Sequence, residues 1–162
     1  MTKCIVAALQ MQSQDNLEDN LRQAAQLMEQ AQQAGVQLVV LPENFAMFAA
    51  GKQLETAQNL AKIQQWLSQQ AQQQQMWIVA GSIPCATRPD GTPVADNKVR
   101  ASCLIYSPQG QLFGRYDKIH LFDANVADQQ ASYQESATFE AGSEVVIVET
   151  PFAKIGISIC YD

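Results

Sequence analysis

A single histidine, His120, occurs in the 162 residues, so a histidine-rich metal centre is excluded. The four cysteines, Cys4, Cys85, Cys103 and Cys160, stand far apart with no CxxC pair. That spacing disfavours both a zinc site and a disulfide framework, and favours a reduced, cytoplasmic setting. Charged residues make up only 16% of the chain, and ten lysines and arginines face sixteen acids for a net charge of −6. The cations are scattered rather than striped, so neither nucleic acid nor an anionic membrane is an expected partner. No apolar run approaches the length that spans a bilayer. Met1-Thr2-Lys3 leads straight into a short strand-like run instead of a signal-peptide core. What the chain does have is apolar content, 47%, enough for one globular domain with a real core.

Hydrophobic periodicity gives the order of elements. Residues 3–10 read as a strand. Asp15-Asn16 offers a helix cap, Leu17, Leu21, Ala24, Met28 and Ala31 recur at helical spacing, and Gly35 supplies the stop. The near-continuous apolar run 36–41 predicts a strand covered on both faces, hence a βαβ unit with parallel pairing. A second helix is expected over residues 53–74 with Ala57, Leu60, Ala61, Leu67 and Ala71 inward and a solvated glutamine-rich tail, then a third strand over 76–83. Residues 99–107 and 111–116 flank Pro108-Gln109-Gly110 as a hairpin. Residues 117–142 lack periodicity and read as a long loop. Residues 144–149 and 154–159 close the chain as strands around Pro151, the last of them apolar, β-branched and buried. The fold class is α/β with an added hairpin.

Ligands of open α/β sheets bind beyond the carboxyl ends of the strands. Three such ends carry chemistry: Glu43 after the second strand, Lys118 after the hairpin's return strand, and Cys160 after the last. All three are expected at one edge of a single sheet. A thiol is mostly protonated at neutral pH and the thiolate is the nucleophile. Glu43 can take the thiol proton as general base. Lys118 can lower the thiol pKa and stabilise an oxyanion, with the backbone N–H of Tyr161 as a second donor. Cys4 and Cys103 lie within strands and read as inert core residues, Cys85 stays ambiguous, and His120 offers a competing Cys–His arrangement.

Leu41-Pro42-Glu43-Asn44, the stretch Tyr116-Asp117-Lys118-Ile119-His120-Leu121-Phe122-Asp123 and Gly156-Ile157-Ser158-Ile159-Cys160-Tyr161-Asp162 together resemble the signature segments of the nitrilase (carbon–nitrogen hydrolase) superfamily. The lysine segment and Gln134-Glu135-Ser136 resemble the branch of ω-amidases and deaminated-glutathione amidases, although Ala101 stands where the family often has asparagine. The resemblance implies an α-β-β-α sandwich and hydrolysis of an amide in a small carboxylate-bearing substrate through a cysteine thioester. Glu43, Lys118 and Cys160 then match the family's triad, with Glu135 orienting Lys118. It implies no cofactor or metal, and a homo-oligomer for the full-length protein. Family domains continue past the cysteine, so residues 1–162 are expected to form a C-terminally incomplete portion, with apolar sheet surface uncovered and a frayed Cys160 turn. An inactive fragment that acts by binding a partner is the alternative function.

Overall fold

The computed structural model describes residues 4–125 and 132–162. Helices lie on one face of a six-stranded sheet and a two-stranded ribbon lies on the other.

Strand β1 (Val6–Ala8) leads into helix α1 (Leu17–Gln33) and back to β2 (Leu38–Val40). The Asn16 side chain accepts from the Asp19 amide at 3.1 Å, the expected cap. The helix stops because Gly35 can adopt φ 74°, which lets the Gly35 and Val36 amides satisfy the carbonyls of Gln32 and Ala31. β1 and β2 pair in parallel, as do β2 and β3 (Trp77–Val79). Burial of β2 on both faces is as the sequence implied. Leu38 is sealed on the ribbon side and Val39 on the helix side.

The expected second helix is two. α2 (Gln53–Gln58) ends at Asn59, and α3 (Leu60–Gln74) starts afresh. The restart changes the inward face: Ile63, Leu67 and Ala71 are buried, whereas Ala61 is exposed and Leu60 only partly covered. The glutamine tail is not only a solvated face. Gln72 Nε2 donates to the Gln109 carbonyl at 2.9 Å, and Ser68 Oγ donates to Gly110 at 2.7 Å, docking α3 on a tight turn.

That turn joins β5 (Arg100–Tyr106) to β6 (Leu112–Asp117) as an antiparallel hairpin. The third strand expected over 76–83 is bent at Gly81 (φ 51°). β3 and the following β4 (Ile83–Cys85) pair end to end along one edge of β5, while β6 takes the other. Residues 117–142 are not all loop. β7 (Asp123–Asn125) and β8 (Ser132–Gln134) form a small antiparallel ladder, followed by a 3₁₀ turn at Glu135–Ala137.

The last two strands also depart from expectation. β9 (Ile147–Glu149) and β10 (Lys154–Gly156) form their own antiparallel ribbon, and β10 is largely exposed. The buried residue of the last segment is Ile159, beyond the strand. Strict alternation on the main sheet explains the layering. Val39, Ile78, Leu104 and Tyr106 face the helices, and Leu38, Trp77, Cys103 and Ile105 face Val148 and Ile159 of the second layer. As the sequence implied, apolar surface is left uncovered: Val6, Leu112, Phe113, Val145 and Ile147 are exposed. Among the described residues no helix is long and apolar enough to cross a membrane.

Candidate active site

Glu43 sits in the turn after β2, and four contacts set that turn's path. The Gly81 bend brings its backbone against the Pro42 carbonyl. Ser82 Oγ accepts from the Asn44 amide at 3.0 Å, with Asn44 in a left-handed conformation (φ 53°). Phe45 is fully buried and stacks on Trp66, while the Asn20 amide nitrogen donates to the Ala46 carbonyl at 2.9 Å. Glu43 is thus an exposed carboxylate on a rigid support.

Lys118 follows β6 and its side chain is 1% exposed. Such a cation must be paired. Glu135 does this with both oxygens, at 3.0 and 2.8 Å from Nζ. Glu135 is itself held, since its Oε2 accepts from the Phe122 amide at 2.6 Å. Gly142 donates its N–H to the Lys118 carbonyl at 2.8 Å. A β-carbon there would lie 2.3 Å from the Asp117 carbonyl oxygen, so only glycine permits this approach. Asp117, two residues past Arg115, collects Ser102, Arg100 and Arg115, and Glu140 joins Arg100 to Arg88. This partly buried ionic network around the base of the β5–β6 hairpin was missed in the sequence, because its members are scattered from residue 88 to 140.

Cys160 occupies a tight turn at φ 50°, closed by the Asp162 amide donating to the Ile159 carbonyl at 3.2 Å. A non-glycine residue in this region stores strain and is held by its surroundings. The structure brings the thiol together with both of its expected partners. The charges of Glu43, Lys118 and Glu135 all act on it. The thiol pKa is nevertheless raised, contrary to expectation. Packing around the sulfur and the Glu43 carboxylate push it up, and together they outweigh the opposing pull of Lys118. The thiol therefore rests protonated beside a base.

Two other expectations change. Acid, cation and sulfur do not share one sheet: Glu43 and Lys118 follow strands of the main sheet, whereas Cys160 follows the ribbon stacked on it. His120 turns its ring to Asp162, with Nδ1 3.0 Å from Oδ1, and is 65% exposed. Tyr161 is exposed and its ring meets Phe122 edge-on at 5.2 Å.

Beside Glu43 lies a cavity of about 190 Å³. Glu43, Lys52, Thr56, Ala101, Glu135 and Phe139 are among its walls, and Cys160 and Lys118 are not. The space suits a small solute, being below the ~300 Å³ at which drug-sized sites begin. Among the described residues no cluster of histidine, cysteine and carboxylate side chains could hold a metal ion.

Residues 5–162 match the carbon-nitrogen hydrolase family. A deaminated glutathione amidase from Synechocystis is 40% identical over 168 residues, covering all of this chain and 59% of that protein. One from Yersinia enterocolitica is 35% identical over 165 residues, covering 100% and 56% respectively. An omega-amidase from Danio rerio is likewise 35% identical over 164 residues, with 100% and 56% covered. The chain thus spans somewhat over half the length of these curated relatives. In structure it matches the C. elegans NitFhit protein with a TM-score of 0.82 at 28% identity, covering 96% of this chain and 37% of that one. The match extends along nearly the whole sequence and includes the segments that carry Glu43, Lys118 and Cys160. The chain belongs to the carbon-nitrogen hydrolase family of the nitrilase superfamily, and its relatives include the deaminated-glutathione amidases and ω-amidases that it resembles.

Proposed function

We propose that this chain carries the triad of an amidase that hydrolyses the C–N bond of a small, carboxylate-bearing amide. The observation that carries the reading is the placement of the Cys160 thiol where both the Glu43 carboxylate and the Lys118 ammonium act on it. Sγ attacks the amide carbonyl carbon as Glu43 takes the thiol proton. Lys118 Nζ and the Tyr161 backbone N–H stabilise the tetrahedral oxyanion. The C–N bond then breaks, the Glu43 proton leaves with the amine or ammonia, and a thioester remains on Cys160. Water, deprotonated by Glu43, attacks the thioester and releases the carboxylic acid and the free thiol. Glu135 holds Lys118 Nζ in place throughout. The raised thiol pKa supports proton transfer in concert with attack, in place of a standing thiolate.

The carboxylate in the substrate is supported by Lys52, a cation among the cavity walls. The names of the relatives, deaminated glutathione amidase and omega-amidase, support an amide of the kind they act on as the substrate. A cytoplasmic setting and a homo-oligomeric full-length protein belong to the same proposal. The test is rapid quenching during turnover of a primary amide of a small dicarboxylic acid, followed by mass spectrometry. The expected result is an acyl adduct on the peptide bearing Cys160, lost in Cys160→Ala together with turnover. Unimpaired hydrolysis by Cys160→Ala would overturn the reading.

A further inference from the structure

The turn that presents Cys160 is held by a single side-chain carboxylate. Asp162 Oδ2 accepts from the Tyr116 hydroxyl at 2.6 Å and from the Ile159 amide at 3.0 Å. Its Oδ1 accepts from the His120 amide at 2.9 Å and lies 3.0 Å from His120 Nδ1. The Asp162 side chain is only 6% exposed, and Tyr116 is buried. The Tyr116 hydroxyl also accepts from the Ile119 amide at 3.2 Å. Ile119 follows Lys118 and Ile159 precedes Cys160. One hydroxyl–carboxylate pair therefore bonds the immediate neighbours of both the ammonium and the thiol.

We propose that Tyr116 and Asp162 form a positioning pair that fixes the separation between the Cys160 thiol and the Lys118 ammonium. Its effect on turnover rests on the reading of Cys160 as nucleophile; its effect on thiol reactivity does not. Lys118 and Cys160 follow strands of different sheets, so no backbone ladder sets their distance. A left-handed cysteine persists only where neighbouring groups over-determine it, and Asp162 supplies that constraint through its accepted bonds. Coulombic influence falls with distance, so a slackened turn alters what Lys118 and Glu43 do to the thiol. The electrostatics agree with a strong link. Burial pushes the Asp162 carboxyl up, but the Tyr116 hydroxyl and the His120 and Ile159 amides overcome it and hold the group below its usual range. Burial, reinforced by Asp162, pushes the Tyr116 phenol up to about 12.

The experiment compares the parent with Tyr116→Phe, Asp162→Asn and the double variant in the purified protein. Iodoacetamide labelling of Cys160 is followed by mass spectrometry across pH, with buried Cys103 as internal reference, alongside kcat and KM for the amide. Each single change is expected to move the labelling midpoint of Cys160 by about half a pH unit or more. Each should lower kcat about tenfold, with KM changing less than about twofold. The double variant should be no worse than the more severe single one, because both changes cut the same link. A Tyr116→Phe labelling profile superimposable on the parent's, or additive effects in the double variant, would overturn the proposal. Tyr116→Phe keeps the ring in the core, so it decides the matter even if Asp162→Asn does not fold. Turnover that survives Cys160→Ala would overturn the nucleophile reading alone, and the labelling profiles would still judge the pair.

Discussion

Gly81 stands so close to Pro42 that a β-carbon built on it would lie 1.9 Å from the Pro42 carbonyl oxygen. Two strand ends thereby share one space, and the residue after Pro42 is Glu43. Gly81→Ala adds a methyl group to that space at φ 51°, so the Pro42–Glu43 backbone must move. The expected outcome is a loss of at least about 1 kcal/mol in denaturant unfolding. Displacement of Glu43 by about 1 Å would lower amide turnover roughly a hundredfold. A variant with parental activity would show that the bend does not position the carboxylate.

Lys52 tests substrate charge. Its ammonium lies 3.7 Å from Glu55 and remains partly solvated, free to turn toward the cavity. Lys52→Met is expected to raise KM about tenfold for a carboxylate-bearing amide, with kcat held, and to leave an uncharged amide of similar size unaffected. Equal effects on both substrates would assign Lys52 to packing.

Glu135 is the counter-charge of an almost fully buried ammonium. Glu135→Ala leaves that charge uncompensated and should cost about 3–5 kcal/mol in chemical denaturation. Adding Lys118→Met should restore much of this stability without restoring activity. If the second change deepened the loss, the pair would not be the source of it.

Glu140 gives the stability a pH signature. Hydrogen bonds from Arg88 hold its carboxyl low, burial opposes them, and Arg100 adds to them, leaving it at about 2 against an ordinary 4.5. The folded-state value lies below the unfolded one, so the unfolded chain binds the extra proton. The contribution is whole above about pH 4.5 and is lost as the pH falls toward 2. Denaturation midpoints at a series of pH values should show Glu140→Gln less stable near neutrality, with a flatter acid limb. A limb as steep as the parent's would place the acid sensitivity elsewhere.

Local chemistry was legible where it was also regular. Asn16, the α1 periodicity and Gly35 mark a helix whose ends follow from capping alone, and the run 36–41 announced a strand buried on both faces. Glu43, Lys118, Glu135 and Cys160 could be named because each follows a recognisable segment. Other features depend on partners remote in sequence. The break at Asn59 leaves the overall helical pattern intact, so the register shift that exposes Ala61 and buries Ile63 was hidden. The run before Cys160 looks like a core strand by composition, yet what covers it lies in another layer and most of it stays exposed. The direction of the Cys160 pKa shift required knowing that burial of the sulfur and the Glu43 carboxylate together outweigh Lys118. The Arg100–Asp117, Arg88–Glu140 and Tyr116–Asp162 bonds join residues 17, 52 and 46 positions apart and left no local signal.

Because β9 and β10 rest on the larger sheet through Val148 and Ile159, the sulfur is mounted on one slab and its acid and cation on another. Methyl groups at that seam act as shims. Thinning Val148 to alanine or thickening Cys103 to valine would slide the thiol relative to a stationary acid–cation frame, offering a way to retune the chemistry without touching Glu43, Lys118 or Cys160.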